Sequence, residues 1–176
     1  MNAALQTLID RYQPVSSQDW ENAPREIVQE LALLGLWRSK FFEHAAFYGG
    51  TALRIFHGLP RFSEDMDFSL LRSDAEFDLT PYLEAIRAEL SALGFTFDVD
   101  RKSKQTTTAI DSAFIKRSAR INLLEIGAPS GLSSRFAPTQ RLKIKLEVDT
   151  DPPAGGCGFL PDARRGSGAF WACRSG

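Results

Sequence analysis

The stretch from Gly49 to Leu70, GGTALRIFHGLPRFSEDMDFSL, constrains the fold more than any other part of the sequence. The apolar run just before it, residues 45–48, predicts a short buried strand. Gly49 and Gly50 then permit a sharp turn, and Thr51 suits the start of a helix whose apolar face follows. Because free N–H groups and the positive end of the helix dipole meet at such a turn, the layout predicts an anion site. An ordinary strand-to-helix turn without a ligand is the alternative interpretation.

Asp65 and Asp67 stand at the head of the next apolar run, which predicts a second strand. Residues two apart on a strand point to the same face, about 6.5–7 Å apart along the backbone. Two carboxylates that face one spot repel each other unless a cation lies between them. Oxygen ligands of this kind suit Mg²⁺ or Mn²⁺, with substrate phosphates completing the coordination shell. The alternative is a solvated strand end that happens to carry two acids.

The two halves of this stretch are close enough in sequence to act together. One short helix and a return loop fit between Gly50 and Glu64. The glycine turn and the acidic strand are therefore predicted to be neighbours in one sheet, with a phosphate site opposite a metal site. In the connecting loop, Arg61 is able to contact a triphosphate and Ser63 to order the backbone, although a plain surface arginine is an equal alternative.

A second informative stretch, residues 142–150, alternates strictly between apolar and charged residues. The alternation predicts a strand with one buried face and one charged face. Beside Asp65 and Asp67, Glu147 would supply a third carboxylate, either as a base toward an acceptor hydroxyl or as a ligand of a second metal, and Lys145 would offset phosphate charge. An edge strand whose charges prevent aggregation is the alternative.

Apolar periodicity predicts the remaining elements of residues 1–151. Predicted helices are one ending near Tyr12, one capped by Ser16 or Ser17 and running to about Trp37, a short one over 38–44, and one over 74–94. Predicted strands cover residues 95–99, 106–115 and 118–124.

Composition limits the possible partners. The chain has 176 residues, 43% of them hydrophobic, and a net charge of −1, which predicts one domain with a substantial core and no global attraction to nucleic acid. Between residues 101 and 120, however, six basic residues face one acid, so this segment is either a contact for an RNA backbone or a solvated basic hairpin. With no apolar run of membrane-spanning length and no secretory segment at the start, we expect a cytoplasmic protein that does not associate with membranes.

Taken together, these motifs resemble the first motif of the polymerase-β-like nucleotidyltransferase superfamily, in which a Gly-Gly or Gly-Ser turn and a short helix precede Asp-x-Asp. More closely, FYGGTALR followed by RFSEDMDFSL is similar to the AbiEii/AbiGii toxin family. The similarity is strongest over residues 41–70 and returns near 142–150, where Lys-Leu-Glu matches the family's Lys-x-Glu motif. The resemblance implies an α+β fold in which a nucleotidyltransferase-like mixed β-sheet is flanked by helices.

The resemblance also implies an enzyme, the toxin of an abortive-infection toxin–antitoxin pair. Such an enzyme would use Mg²⁺ or Mn²⁺ to transfer NMP from an NTP to a hydroxyl of tRNA, another RNA or a protein, and a cognate antitoxin would neutralise it. The resemblance assigns the metal to Asp65 and Asp67. It adds Lys145 and Glu147, rather than Asp149, to these two aspartates as catalytic residues. The nucleotide-binding residues that it implies are Gly49, Gly50, Thr51, Arg61 and Ser63.

The character of the chain changes after Asp151. Residues 152–176 contain nine Gly or Pro residues and no periodic apolar pattern, which predicts an irregular, disordered or non-native tail outside the 1–151 domain. The family continues here into helices that carry further lysine and aspartate motifs, and none is recognisable, so we expect a truncated or frame-shifted member. The alternatives to an active toxin are an inactive remnant that still binds Mg-NTP, and a sugar transferase that uses Asp-x-Asp. The glycine turn before the aspartates argues against the sugar transferase.

Overall fold

The computed structural model describes residues 10–102, 109–118 and 141–153, together with Thr7, Thr139 and the strands over 157–161 and 169–173. Its helices are α1 (Ser17–Arg38), α2 (Gly49–His57) and α3 (Thr80–Ala92). Its strands are β1 (Ala45–Tyr48), β2 (Asp65–Leu70), β3 (Asp98–Arg101), β4 (Ile110–Ser118), β5 (Arg141–Asp149), β6 (Cys157–Pro161) and β7 (Ala169–Cys173). Within the described ranges, none of the helices has the length and apolar character needed to cross a membrane.

The strands form one sheet in the order β3-β4-β5-β2-β1-β6-β7. The central pair, β2 and β5, is parallel, while every other neighbouring pair is antiparallel. A mixed sheet with flanking helices confirms the predicted α+β fold class. The parallel pairing matters most for the site, because it sets the acidic strand directly beside the Lys-Leu-Glu strand.

Helix α1 begins at the predicted cap and packs closely on α3. Ser16 accepts a hydrogen bond from the Asp19 backbone, and the Asp19 side chain accepts one from the Ser16 backbone, which forms a capping box. Farther along α1, a Cβ on Gly35 would lie 2.9 Å from the Cα of Ile86, so only glycine permits the two helices to cross at this distance.

The core lies between the helices and one face of the sheet. Alternate residues of β5 are buried, as the sequence pattern predicts, and so are the apolar residues of β2. Phe68 of β2 is at the centre of an aromatic cluster, with its ring centroid 4.8 Å from that of Phe47 and 5.1 Å from that of Phe41. Its burial holds β2 in the orientation that turns Asp67 and Ser69 toward the opposite, open face.

Several element boundaries differ from the sequence-based predictions. Helix α3 starts at Thr80 rather than at residue 74, because the Asp78 side chain accepts a hydrogen bond from the Thr80 backbone and so forms the turn that opens the helix. Over 38–44, Lys40 adopts a left-handed conformation that ends α1, and only a 3₁₀ turn, Phe41–Glu43, follows. Strand β3 begins at Asp98, although Phe95 and Phe97 are buried as predicted.

The strand predicted over 106–115 is confirmed in its described part by β4, which continues to Ser118, and the strand predicted over 118–124 lies outside the described residues except for Ser118. Residues 103–108 and 119–138 lie outside the described residues, as does most of the helix predicted before Tyr12.

Segment 152–176, predicted to be irregular, contributes two strands. Strand β6 pairs with the edge of β1, and β7 pairs with β6. The glycine- and proline-rich composition hides two short runs of strand-forming residues there, and the edge of β1 offers unpaired backbone groups that accept a further strand. Residues 154–156, 162–168 and 174–176 lie outside the described residues. The division of the chain at Asp151, and the proposal of a truncated or frame-shifted member, stay predictions.

Replacing Phe68 with Ala is expected to lower the free energy of unfolding by about 3–5 kcal/mol, because the change leaves a cavity among close-packed rings. Chemical denaturation followed by circular dichroism measures the loss. Leu53→Ala is a matched control, since 38% of Leu53 is exposed and its truncation is expected to cost less than about 1 kcal/mol. Equal losses in the two variants would contradict the central position given to Phe68.

Candidate active site

The register of the central strands brings the predicted carboxylates into two adjacent rows on one face of the sheet. In the parallel pairing of β2 with β5, Asp67 lies beside Glu147, and Asp65 lies beside Lys145. On the other side of β2, Tyr48 of β1 lies beside Asp67. Neighbouring strands are about 4.8 Å apart, and all five side chains lie on the open face, because the residues between them are buried.

The glycine turn lies against Asp67. Gly49 has a φ of +79°, which disfavours any residue with a side chain. A Cβ on Gly49 would also lie 2.5 Å from the Oδ2 atom of Asp67. Two separate constraints therefore require glycine here, and the prediction that the glycine turn and the acidic strand are neighbours is confirmed.

Helix α2 begins at Gly49 without a side-chain cap from the preceding Tyr48. The first N–H groups of a helix have no partner within it, so they are available to an anion at the positive end of the dipole. Thr51 does not offer its side chain there, because it is fully buried and its hydroxyl donates to the backbone carbonyl of Asp65. If Thr51 contacts a nucleotide, the contact is expected from its backbone.

The carboxyl group of Asp67 is half-buried and electrostatically crowded. Burial raises its pKa above the ordinary value for aspartate, and the neighbouring charges of Asp65 and then Glu147 raise it further, while Lys145 acts in the opposite direction. The repulsion between these acids is what a bound cation would relieve.

The Glu147 carboxylate is held by two partners, Lys145 and Ser112. Lys145 Nζ lies 2.7 Å from Glu147 Oε2, and Ser112 of β4 donates to Glu147 Oε1 at 3.3 Å. The hydrogen bond to Glu147 is the main cause of a raised Lys145 pKa. In the part of the chain that the structure describes, no group of three or more acidic, histidine or cysteine side chains is placed to hold a metal ion.

Asp65 and Asp67 nevertheless fit a divalent cation. Both are hard oxygen donors on one face, and burial followed by the charge of Asp65 raises the pKa of Asp67. Two protein ligands are typical for Mg²⁺ sites that are completed by water and substrate phosphate.

Two further predicted residues lie in the loop before β2. Arg61 is exposed, and in the described part of the protein it forms neither a hydrogen bond nor an ion pair, so its charge is available to an anion. Ser63 lies against the glycine turn, since a Cβ on Gly50 would be 3.5 Å from the Cβ of Ser63.

Two neighbours of the site were not identified from the sequence. Tyr48 is 39% exposed, and burial followed by the charge of Asp67 raises its pKa. Its position as the last strand residue before Gly49 was a usable signal. No sequence signal pointed to Ser112, because its contact with Glu147 depends on the pairing of β4 with β5.

The basic segment divides into two parts. Arg101 is not available to RNA, because it forms ion pairs with the fully buried Asp111, at 2.6 Å, and with Asp78, at 2.7 Å. Lys116 faces the open side of the sheet, next to Phe114 on β4, and pairs with Asp100 at 3.5 Å.

Comparison with known proteins places the chain in a family. The family model described as "Nucleotidyl transferase AbiEii toxin, Type IV TA system" matches residues 31–163, which is most of the chain. Among curated proteins, none is similar enough in sequence to count as a relative.

Two solved structures from Helicobacter pylori are similar at low identity. A candidate nucleotidyltransferase has 19% identity and a TM-score of 0.44, with 77% of this chain and 47% of that chain covered. JHP933 has 17% identity and a TM-score of 0.41, with 71% of this chain and 42% of that chain covered. The chain therefore spans less than half the length of either protein.

Replacing Asp67 with Asn is expected to raise the melting temperature of the metal-free protein at pH 7 by a few degrees. A carboxyl group whose pKa is higher in the folded protein than in the unfolded chain opposes folding once it ionises, so stability falls as the pH rises through that pKa. The uncharged amide removes this effect.

The gain from Asp67→Asn should shrink in acid, where the wild-type carboxyl group is protonated. Glu76→Gln, at an exposed acid remote from the site, is the control and should leave the melting temperature unchanged. An Asp67→Asn protein that melts at or below the wild-type temperature at pH 7 would contradict the analysis.

Proposed function

The chain belongs to the AbiEii family of nucleotidyltransferase toxins, and from that premise we propose that it transfers NMP from an NTP to a hydroxyl group of an RNA acceptor. We propose further that the transfer depends on Mg²⁺ or Mn²⁺, and that a cognate antitoxin controls it in the cytoplasm. The family is that of type IV toxin–antitoxin systems.

One observation carries the proposal: the Asp67 carboxylate lies directly against the Gly49 turn. A Cβ on Gly49 would be 2.5 Å from Asp67 Oδ2, so the cation-binding and phosphate-binding groups share one location. A nucleotide whose phosphates lie at the start of α2 would therefore bring them within reach of a cation on β2. Neither a plain glycine turn nor an isolated acidic strand requires this proximity.

The chain's own groups can hold the triphosphate from two sides. The uncapped N–H groups of α2 donate to phosphate oxygens, and the exposed Arg61 adds a positive charge from the loop. Lys145, one strand away from Asp65, offsets further negative charge. These groups fix the α-phosphorus in place, and such positioning accounts for much of the catalysis in phosphoryl chemistry.

Asp65 and Asp67 would hold the divalent cation. When bound, the cation neutralises the phosphate charge that otherwise repels the attacking oxygen. Ionised Asp67 is required for this, so the raised pKa of Asp67 predicts that binding is lost in acid at a higher pH than for an ordinary aspartate.

Glu147 is the proposed general base. The acceptor hydroxyl oxygen forms a bond to the α-phosphorus, the bond to pyrophosphate breaks, and the hydroxyl proton passes to Glu147. The carboxylate must first leave Lys145, which is 2.7 Å away, and Lys145 is then free to pair with phosphate. Ser112 keeps the carboxylate on the open face during this exchange.

The open face beside the carboxylates supports RNA rather than protein as the acceptor. Phe114 of β4 lies next to Lys145 in register, in the same row as Asp65. Lys143 Nζ is 4.1 Å from the centroid of the Phe114 ring, and Lys116 Nζ is 5.1 Å from it. The Phe114 ring with Lys143 beside it matches a nucleobase and an adjacent phosphate.

Asp65→Asn is expected to reduce nucleotide transfer by about a hundredfold or more, since it removes a charge from the cation site. The measurement is transfer of label from α-³²P-NTPs to total RNA in the presence of Mg²⁺. Asp74→Asn is the control for loss of an acid elsewhere in the chain. Transfer that survives Asp65→Asn contradicts the proposal, and nucleotide binding without transfer in the wild type supports the alternative of a binding remnant.

The double variant Phe114→Leu, Lys143→Gln is expected to raise the KM for RNA about tenfold or more while leaving the KM for NTP unchanged, because it removes one stacking ring and one phosphate contact. Steady-state kinetics with each substrate varied in turn measures the difference. Lys40→Gln is the control for loss of an exposed lysine far from the open face. An unchanged KM for RNA would remove this face from the acceptor site.

A further inference from the structure

The loop between α2 and β2, residues 58–64, is held in place by side chains of α1 and α2. Arg54 of α2 donates to the backbone carbonyls of Leu59, at 3.2 Å, and Pro60, at 3.1 Å. The same guanidinium group pairs with Glu26 of α1 at 2.8 Å. The loop leads directly into Asp65, so these contacts determine where β2 begins.

Gln29 of α1 makes the contact closest to the site. Its side chain is fully buried, and its Nε2 atom donates to the backbone carbonyl of Ser63 at 2.8 Å. Thr51 of α2 approaches the same carbonyl at 3.5 Å and donates to the carbonyl of Asp65. The backbone carbonyls of Ser63 and of Asp65, the first aspartate, are thus held from α1 and α2 together.

The other end of the Gln29 amide is unsatisfied. Among the described residues, Oε1 of Gln29 is the one buried side-chain polar atom without a hydrogen-bond partner. A buried acceptor without a partner destabilises a fold, and an apolar side chain of similar length would avoid that cost but would also leave the Ser63 carbonyl without its Gln29 donor. Gln29 therefore holds the Ser63 carbonyl while its own oxygen stays unsatisfied, and this arrangement calls for an explanation beyond stability.

We propose that Gln29 is a positioning residue, which holds the Ser63 carbonyl so that Asp65 and Asp67 face the Gly49 turn. This inference rests on the proposed nucleotidyl transfer. Because side chains alternate along a strand, a shift of β2 by one residue in register, which the Gln29 contact to Ser63 opposes, would turn the carboxylates away from the open face. Gln29 touches neither nucleotide nor cation in this account and acts only through the loop.

The test compares Gln29→Met, which keeps the length and removes the donor, with Gln18→Met on the exposed side of the same helix. Electron paramagnetic resonance measures the Kd with which the protein binds Mn²⁺–ATP. Calorimetry measures the melting temperature, and steady-state kinetics separates KM from kcat. We expect Gln29→Met to melt near the wild-type temperature, because removal of the unsatisfied oxygen offsets the lost hydrogen bond to Ser63, with the Kd and the KM for NTP both raised about tenfold. Gln18→Met should match the wild type in all three.

Wild-type Mn²⁺–ATP affinity in a folded Gln29→Met protein would overturn the inference while leaving the proposed function intact. Absence of Mn²⁺–ATP binding by the wild-type protein would overturn the proposed function and this inference with it. Gln29→Leu is a second variant in case methionine does not pack. Failure of both variants to fold would show that Gln29 serves stability, which also overturns the inference.

Discussion

The geometry of the candidate site depends on the close approach of the Asp67 carboxylate to the backbone of Gly49. The Asp67 side chain leaves no room for a Cβ on Gly49, because that atom would lie 2.5 Å from Asp67 Oδ2. This contact fixes the distance between the start of α2 and the acidic strand, and the parallel pairing of β2 with β5 then sets Glu147 beside Asp67. The buried apolar residues of both strands support this geometry from the other side of the sheet.

The site is built at an electrostatic cost. Burial and two neighbouring acids raise the pKa of Asp67, and Glu147 forms an ion pair with Lys145. Polar groups that oppose folding persist in proteins where they serve function, and Asp67 fits that pattern. The Gln29 amide, with its unsatisfied oxygen, has the same character at the back of the site. The fold is stabilised elsewhere, in the aromatic cluster around Phe68 and the packing of α1 on α3.

Local sequence patterns predict much of the fold and of the candidate site. The remainder depends on long-range strand pairing, which only the structure shows. The strand before Gly49, the short helix after it and the alternation of β5 follow from residues close together in the chain, and all are confirmed. The proximity of Ser112 to Glu147 depends on which strands pair and in what register, which no local pattern encodes. Gln29 was hidden within a helix whose apolar stripe indicated only packing. Strands β6 and β7 were obscured by glycine and proline, and nearby residues do not encode their pairing, because β6 pairs with the distant β1 and β7 adds to β6.

A crystal structure with Mn²⁺ and a non-hydrolysable NTP analogue, phased to show the anomalous signal of the metal, tests the central claim most directly. The account predicts a manganese peak about 2.1 Å from carboxylate oxygens of both Asp65 and Asp67, with phosphate oxygens at the first N–H groups of α2. A peak coordinated by neither aspartate, or phosphates bound away from the Gly49 turn, would contradict it.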